Sequence, residues 1–405
     1  MLLFYSFIFA LVATANSAAY MELQNNLAIQ SYERAKEAEE TKTGHLGRSF
    51  LPTLSLELGQ ERFKTGPYQT FSNPYGYLEA RFNLFKGGRD SLESEIRDIQ
   101  ANIGKFNQDL ASREELNKIR KLQWLIVHNL ELIKILEEER SQNAKIKSQA
   151  NRRAQSGVSS RTDVLEFSIY DSELEENIES LKHENEILKT GLRPLLGMDS
   201  TEELNFTHSL EHQHDEELMT KKYSSKFNPS VARMKAESES FDIQKKVLSR
   251  WWTPSLDLYG GYYLYTLRDR DFISIQDRED TVVGVRLSFE IFDGLKSYNQ
   301  STASNYQAES KKLMARHLEH QTDAQFIMYQ EDMKHTHEVM HYIEDRIKKS
   351  KEYLSSTLKE YDRGVKNSLD ALVAVQRYYR YEKQHLEKKK EYQVIKADLL
   401  GLLGE

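Results

Sequence analysis

The sequence predicts a mainly α-helical protein with a minority of membrane-type β-strands, built from one unit used twice. Three observations predict this class. First, residues 82–197 and 289–404 align without a gap: Phe82 with Phe289, Phe85 with Phe292, Gly87 with Gly294, Asp163 with Asp370, and Leu195-Leu196-Gly197 with Leu402-Leu403-Gly404. Similarity over that length marks a duplicated structural unit. Second, apolar residues recur at 4-3 spacing over stretches much longer than an ordinary helix, and only 6 prolines interrupt the chain. Third, short segments ahead of these stretches place apolar residues at every second position, the period of a strand.

The chain opens with an apolar run, Leu2 to Ala13, followed by small residues that include Ala15 and Ser17. Residues 1–19 are expected to be a cleaved secretory signal. No later stretch approaches 18 apolar residues, so no transmembrane helix is expected, and any membrane crossing would use strands. Zero cysteines exclude disulfides, thiolate metal sites and a lipid-modified N-terminal cysteine. With a net charge of −7 and no basic cluster interleaved with aromatics, nothing points to nucleic acid.

Residues 20–197 form the first repeat. Met21 to about Gly47 has a helical pattern. Leu51-Pro52-Thr53-Leu54-Ser55-Leu56-Glu57-Leu58 then alternates, and its partner strand is expected from about Gly76 to Phe85. Between them, Thr65 to Pro74 is rich in turn residues and reads as a loop. The strand hairpin occupies about 51–85 and the helical hairpin about 90–197. Leu92, Ile96, Ile99, Ile103, Phe106 and Leu110 form a coiled-coil seam. That helix is expected to reach about Arg153, on the order of 65 residues and roughly 100 Å long. It turns at Gly157-Val158 and returns along Leu174, Ile178, Leu181, Asn185, Leu188 and Leu192. Residues 198–226 read as a polar connector. Residues 227–405 repeat the unit, with a strand hairpin at about 253–292, a helical hairpin at about 296–404 and a turn at Gly364-Val365. Tyr259, Tyr262, Tyr263 and Tyr265 suggest an interfacial girdle on the second hairpin.

Two hairpins give four strands, and a closed barrel needs about eight or more. Strands that span a bilayer must have no open edge, so several chains would share one barrel: two would supply eight strands, three would supply twelve.

The duplicated halves carry further marks in a fixed order. Leu51-Pro52-x-Leu54 precedes the first strand, while Leu84-Phe85-x-Gly87-Gly88 and Ile291-Phe292-Asp293-Gly294 close the hairpins. Gly-Val turns follow, and Leu-Leu-Gly ends each half. In this order the chain resembles the TolC-like outer-membrane efflux and secretion proteins of Gram-negative bacteria. The resemblance implies a homotrimer with a 12-stranded barrel in outer-membrane lipid, continued by a periplasmic α-helical barrel. It implies an exit duct of a tripartite efflux or type I secretion system. The implied partners are a periplasmic adaptor (membrane fusion) protein and an inner-membrane transporter of RND, ABC or MFS type. The helix tips Gly157, Val158, Gly364 and Val365 would meet the adaptor. Gate links would join Tyr361 to Asp163 and Lys366 to Thr162. Asp370 would narrow the pore in an acidic ring whose second acidic position is Val373 here.

No catalytic, cofactor or metal site is expected. His337-Glu338-Val339-Met340-His341 matches the H-E-x-x-H zinc motif, but the repeat places Leu130 and Lys134 at the histidine positions, and no third ligand is identifiable. His208, His212 and His214 lie in the connector. No phosphate-binding loop, G-x-S-x-G elbow or cysteine nucleophile occurs. The competing reading is an exported soluble coiled-coil scaffold without channel activity.

Overall fold

The 4-3 pattern is realised as two long helical hairpins, one per repeat. The computed structural model describes residues 25–404 apart from 45, 66–68, 158–159, 200–203, 205, 207–209, 211–214 and 269–274. The expected signal segment, Val158 and the connector histidines lie outside them. The helices are α1 (Leu27–Glu40), α2 (Arg89–Gln155), α3 (Arg161–Leu195), α4 (Glu216–Thr220), α5 (Pro229–Ser249), α6 (Lys296–Asp362) and α7 (Ser368–Leu403). The strands are β1 (Thr53–Thr65), β2 (Gln69–Phe85), β3 (Ser255–Arg268) and β4 (Ile275–Ser288). Helices α2 and α6 are each 67 residues long, as the duplication requires. No helix among the described residues is long and apolar enough to cross a membrane.

Contacts divide the chain into two units, and neither unit is a repeat. A sheet unit comprises Arg34–Asn107 and Ser230–His317; a coil unit comprises Gln108–Pro229, Leu318–Glu405 and the chain up to Glu33. Each therefore draws on both copies.

In the sheet unit the strand order is β1-β2-β3-β4, antiparallel throughout. The register sets Leu54, Leu56 and Leu58 beside Ala80, Leu78 and Gly76. Leu256, Leu258 and Gly260 pair with Leu287, Val285 and Val283. One face of the sheet is thereby apolar. The strands run further than the sequence predicts, since β2 begins at Gln69 inside the expected loop. Thr70, Phe71 and Tyr75 favour extended backbone. Pro74 is tolerated there because pairing of β2 with β3 starts only at Tyr75, so the proline has a partner strand on one side alone.

Gly87 (φ 64°) and Gly88 (φ 72°) turn β2 into α2, in a conformation that costs other residues about 1–2 kcal/mol. The duplicate turn uses Gly294 (φ 69°) and Leu295 (φ 64°), so a leucine is held left-handed where the first copy has Gly88. Below the turns Ile99 and Ile103 pack on Ile243, which puts the predicted seam of α2 against α5. Gly104 admits α1, because a Cβ there would lie 3.4 Å from Lys36 Cα.

The coil unit packs α2, α3, α6 and α7 through several apolar clusters. One joins Ile29, Leu116, Ile119, Ile126 and Leu192. Asn26 fixes the start of α1: its Oδ1 accepts from Ala28 N (2.8 Å), and its Nδ2 donates to Leu195 O (2.9 Å) and Glu115 Oε2 (3.1 Å). Helix α1 is shorter than predicted and ends at Glu40. Gly197 (φ 67°) terminates α3, with Met198 N–H donating to Arg193 O (2.9 Å) and Gly197 N–H to Pro194 O (3.2 Å). That pairing explains the Leu-Leu-Gly ending.

The connector is more than a polar tether. Leu210 is buried with Val127 and Leu386, and Met219 with Phe326, Met333 and Tyr392. Gln330 Nε2 donates to the carbonyls of Leu218 and Lys221, both at 2.9 Å, and so clamps α4 onto α6. Few apolar residues among many charges hid this docking.

A buried ion pair crosses the coil. The carboxylate of Glu139 is fully enclosed, receives Lys383 Nζ at 3.0 Å, and accepts the hydroxyl of Tyr170. Helices α2, α3 and α7 meet there. Burial together with the Glu139 carboxylate pushes the Tyr170 phenol well above its usual range. Lys383→Met is expected to cost about 3–5 kcal/mol by stranding the carboxylate. Lys383→Met combined with Glu139→Leu should recover most of that loss. Denaturant titration of the four proteins measures the coupling.

His128 and His385 are also enclosed in the coil. His128 Nε2 lies 3.2 Å from a Glu387 oxygen, and His385 Nε2 lies 3.4 Å from Glu344 Oε1. Burial is the larger effect in both and lowers their affinity for protons below the ordinary value of 6.5. The unfolded chain then binds more protons than the folded one. Their contribution is intact above about pH 6.5 and is lost as pH falls below it, through the lower values of the folded state. The His128→Gln, His385→Gln variant should therefore lose less thermal stability than the parent between pH 7 and pH 5.

Candidate functional site

Two surfaces stand out, one in each unit. In the coil unit the ends of the hairpins are built by helix caps. Gly157 (φ 77°) ends α2, and Ser160 caps α3 by accepting from Thr162 N at 3.1 Å. Gly364 (φ 82°) ends α6 with paired bonds, Val365 N–H to Glu360 O (2.9 Å) and Gly364 N–H to Tyr361 O (3.0 Å). Asn367 then caps α7 in a reciprocal box: its side chain accepts from Asp370 N (2.8 Å) and its own N–H reaches Asp370 Oδ2 (3.3 Å). These local rules expose Val365 at the tip and leave a polar first turn on each returning helix.

The predicted gate residues fall in and around these turns. Thr162 and Asp163 lie in the first turn of α3, with Asp163 N–H donating to Ser160 O at 3.2 Å. Lys366 is half-buried and its N–H reaches Glu360 O at 3.3 Å. Asp370 has a local task in the capping box, and Asp163 occupies the same third helical position after its own cap. Val373 is exposed one turn beyond Asp370.

Tyr361 is 1% exposed and packs among Ile146, Ala150, Phe167, Ala371 and Val375. Its hydroxyl lies 3.4 Å from Ser368 Oγ. Its ring carries Arg153, whose guanidinium carbon sits 4.3 Å from the ring centroid. Arg153 Nη2 also donates to the carbonyls of Tyr361 and Asp362, the latter at 3.3 Å, and Gln149 Nε2 donates to Asp362 Oδ1 at 3.0 Å. Arg153 thus joins the end of α2 to the end of α6. Sequence reasoning did not find it, because an arginine in the last helical turn is already accounted for by the helix dipole.

His337 and His341 lie one turn apart on α6 with Nε2 atoms 3.2 Å apart. No group of three or more His, Cys, Asp or Glu among the described residues is placed to hold a metal ion.

The second surface is the sheet. On its apolar face Leu54, Leu58, Val283 and Leu287 are 62–77% exposed. The opposite face is polar and ordered. Tyr75 and Tyr77 hydroxyls donate to Glu57, the first at 3.2 Å. Tyr263 donates to Glu79 Oε2 at 3.1 Å, Arg81 Nη2 lies 2.7 Å from Glu79 Oε1, and Arg286 sits 4.5 Å from the Tyr259 ring centroid. The expected tyrosine girdle is corrected here. Tyr262 shares the apolar face, whereas Tyr259 and Tyr263 belong to the polar one, because neighbouring strand residues point to opposite sides. Among the described residues β1 pairs only with β2 and β4 only with β3, so both outer edges are open.

These features can be set beside known proteins. Residues 225–405 match the family model described as outer membrane efflux protein. That match covers the second repeat. No curated protein matches the sequence. The chain is similar to the outer membrane protein VceC of Vibrio cholerae, with TM-score 0.80, 11% identity and 96% of each chain covered. It is similar to the CmeC outer membrane channel of Campylobacter jejuni, with TM-score 0.76, 13% identity, and 95% and 84% covered. The open-state MtrE outer membrane channel of Neisseria gonorrhoeae gives 0.74, 15%, and 95% and 88%. At these identities the likeness is one of fold, and it spans both repeats.

Arg153→Ala is expected to lower stability by about 1–3 kcal/mol through the lost stacking and charge-assisted bonds. Arg153→Lys should restore only part, since lysine lacks the planar fork. Thermal unfolding and protease sensitivity at the tips read this out.

Proposed function

We propose that this chain is one protomer of an outer-membrane exit duct in a Gram-negative bacterium, a passive conduit rather than an enzyme. The observation that carries the reading is the four-stranded sheet with an exposed apolar face and two open edges. In lipid, unpaired edge groups are untenable, and pairing β4 of one copy with β1 of the next removes both edges. Three copies would close a 12-stranded barrel with the Glu57, Glu79, Arg81 and Arg286 face lining the pore. The efflux-domain match and the fold likeness to outer membrane channels support this.

The long helices continue the conduit into the periplasm. Gly157, Val158, Gly364 and Val365 meet a periplasmic adaptor, and an inner-membrane transporter of RND, ABC or MFS type supplies the energy. In the assembled duct the closed tip is held by Tyr361 with Asp163 and by Lys366 with Thr162, links that need rearrangement from the single chain, where the Tyr361 hydroxyl faces Ser368; Arg153 assists, and Asp370 narrows the passage. Docking of the partners opens it.

Carbonate washing of membranes tests the assembly: the duct stays in the membrane fraction and purifies as a trimer. Release as a soluble monomer would refute it and favour a scaffold. In planar bilayers, Tyr361→Phe with Asp163→Ala should raise conductance by removing hydrogen bonds worth about 1.5–3 kcal/mol each to a charged group. Unchanged conductance would reject those links as the gate.

A further inference from the structure

The H-E-x-x-H run on α6 has no part in the duct, yet its geometry is organised. His337 Nε2 and His341 Nε2 lie 3.2 Å apart, with the rings nearly perpendicular at 80° and their centroids 4.6 Å apart. Two imidazole nitrogens bound tetrahedrally at about 2.0–2.1 Å to one zinc ion would be about 3.3–3.4 Å apart. The spacing of the two nitrogens therefore matches that of two ligands on one ion, and binding takes a turn of the rings that brings both Nε2 lone pairs to face it.

A third residue orients the pair. Glu344 Oε2 lies 3.3 Å from His341 Nδ1, where it accepts that nitrogen's proton in a hydrogen bond. With that proton on Nδ1, the Nε2 of His341 carries none and can ligate, the tautomer that carboxylates fix in metal-binding histidines. The other oxygen, Glu344 Oε1, lies 3.4 Å from His385 Nε2 on α7. The His341 side chain is 63% exposed, which leaves room for ions and water.

We propose that His337 and His341 form a site for one divalent transition-metal cation, with Glu344 as a positioning residue. Imidazole nitrogen selects zinc, nickel or copper, whereas magnesium and calcium prefer oxygen. With two protein ligands, water completes the coordination. The site binds metal and staples one turn of α6; it is not a hydrolase centre. The first repeat has Leu130 and Lys134 at the matching positions, so the site belongs to one copy alone.

The test is calorimetric titration of untagged mature protein with zinc chloride and nickel chloride at pH 7.5, with magnesium chloride as control. One zinc or nickel ion should bind per chain with micromolar affinity, and magnesium should not bind. His337→Ala and His341→Ala should each weaken binding at least tenfold, and Glu344→Gln by about tenfold. Circular dichroism confirms that these exposed substitutions leave the helices intact. Absence of binding to the parent protein would overturn the proposal. So would parental affinity in the His337→Ala, His341→Ala variant, which would place the metal elsewhere on the chain. Parental affinity in Glu344→Gln would remove the role of Glu344.

Discussion

An edge strand offers a row of N–H and C=O groups that must find either water or another strand, and this sheet has two such edges. Its apolar face compounds the constraint. Leucines and valines along β1 and β4 project outward with nothing among the described residues to cover them. A single copy therefore leaves both its hydrogen-bonding ladder and its apolar surface unfinished. In the proposed duct, closure by identical copies in lipid satisfies both at once, with each protomer carrying only part of a barrel.

The helices meet the opposite problem, because they are long and strongly charged yet must pack closely. Apolar seams supply the adhesion, and enclosed polar groups set which helices meet. Glu139 with Lys383 and Tyr170 ties α2 and α3 of the first copy to α7 of the second. Arg153 ties the end of α2 to the end of α6. Both links run between repeats, so moving one copy against the other at these points means breaking charge-assisted contacts. In the proposed duct, that is the resistance partner docking has to overcome.

Much was legible in the residue pattern. The duplication gave equal lengths to α2 and α6, the glycines marked where helices end, and period-two alternation placed Leu54, Leu56 and Leu58 on one face. Each depends on local geometry that neighbours in sequence impose. The reading failed where distant contacts override composition. Residues 69–74 look like a loop but extend β2 because β1 pairs with them. The connector looks polar, yet Leu210 and Met219 are buried by helices more than 75 residues away, among them Val127 with Leu210 and Phe326 with Met219. Tyrosines grouped by composition fell on both faces, since composition ignores the pleat.

The candidate site divides along the same line. Sequence alone determined where the hairpins turn, at Gly157 and Gly364, whereas the caps at Ser160 and Asn367 came from the structure. It also determined that the strands of one chain are too few to close on themselves. Only the tertiary structure decided what Tyr361 touches, which helix Arg153 reaches, and that Glu344 stands between His341 and His385. Those contacts join residues far apart along the chain, and their partners are fixed by how the helices pack rather than by any pattern within one of them.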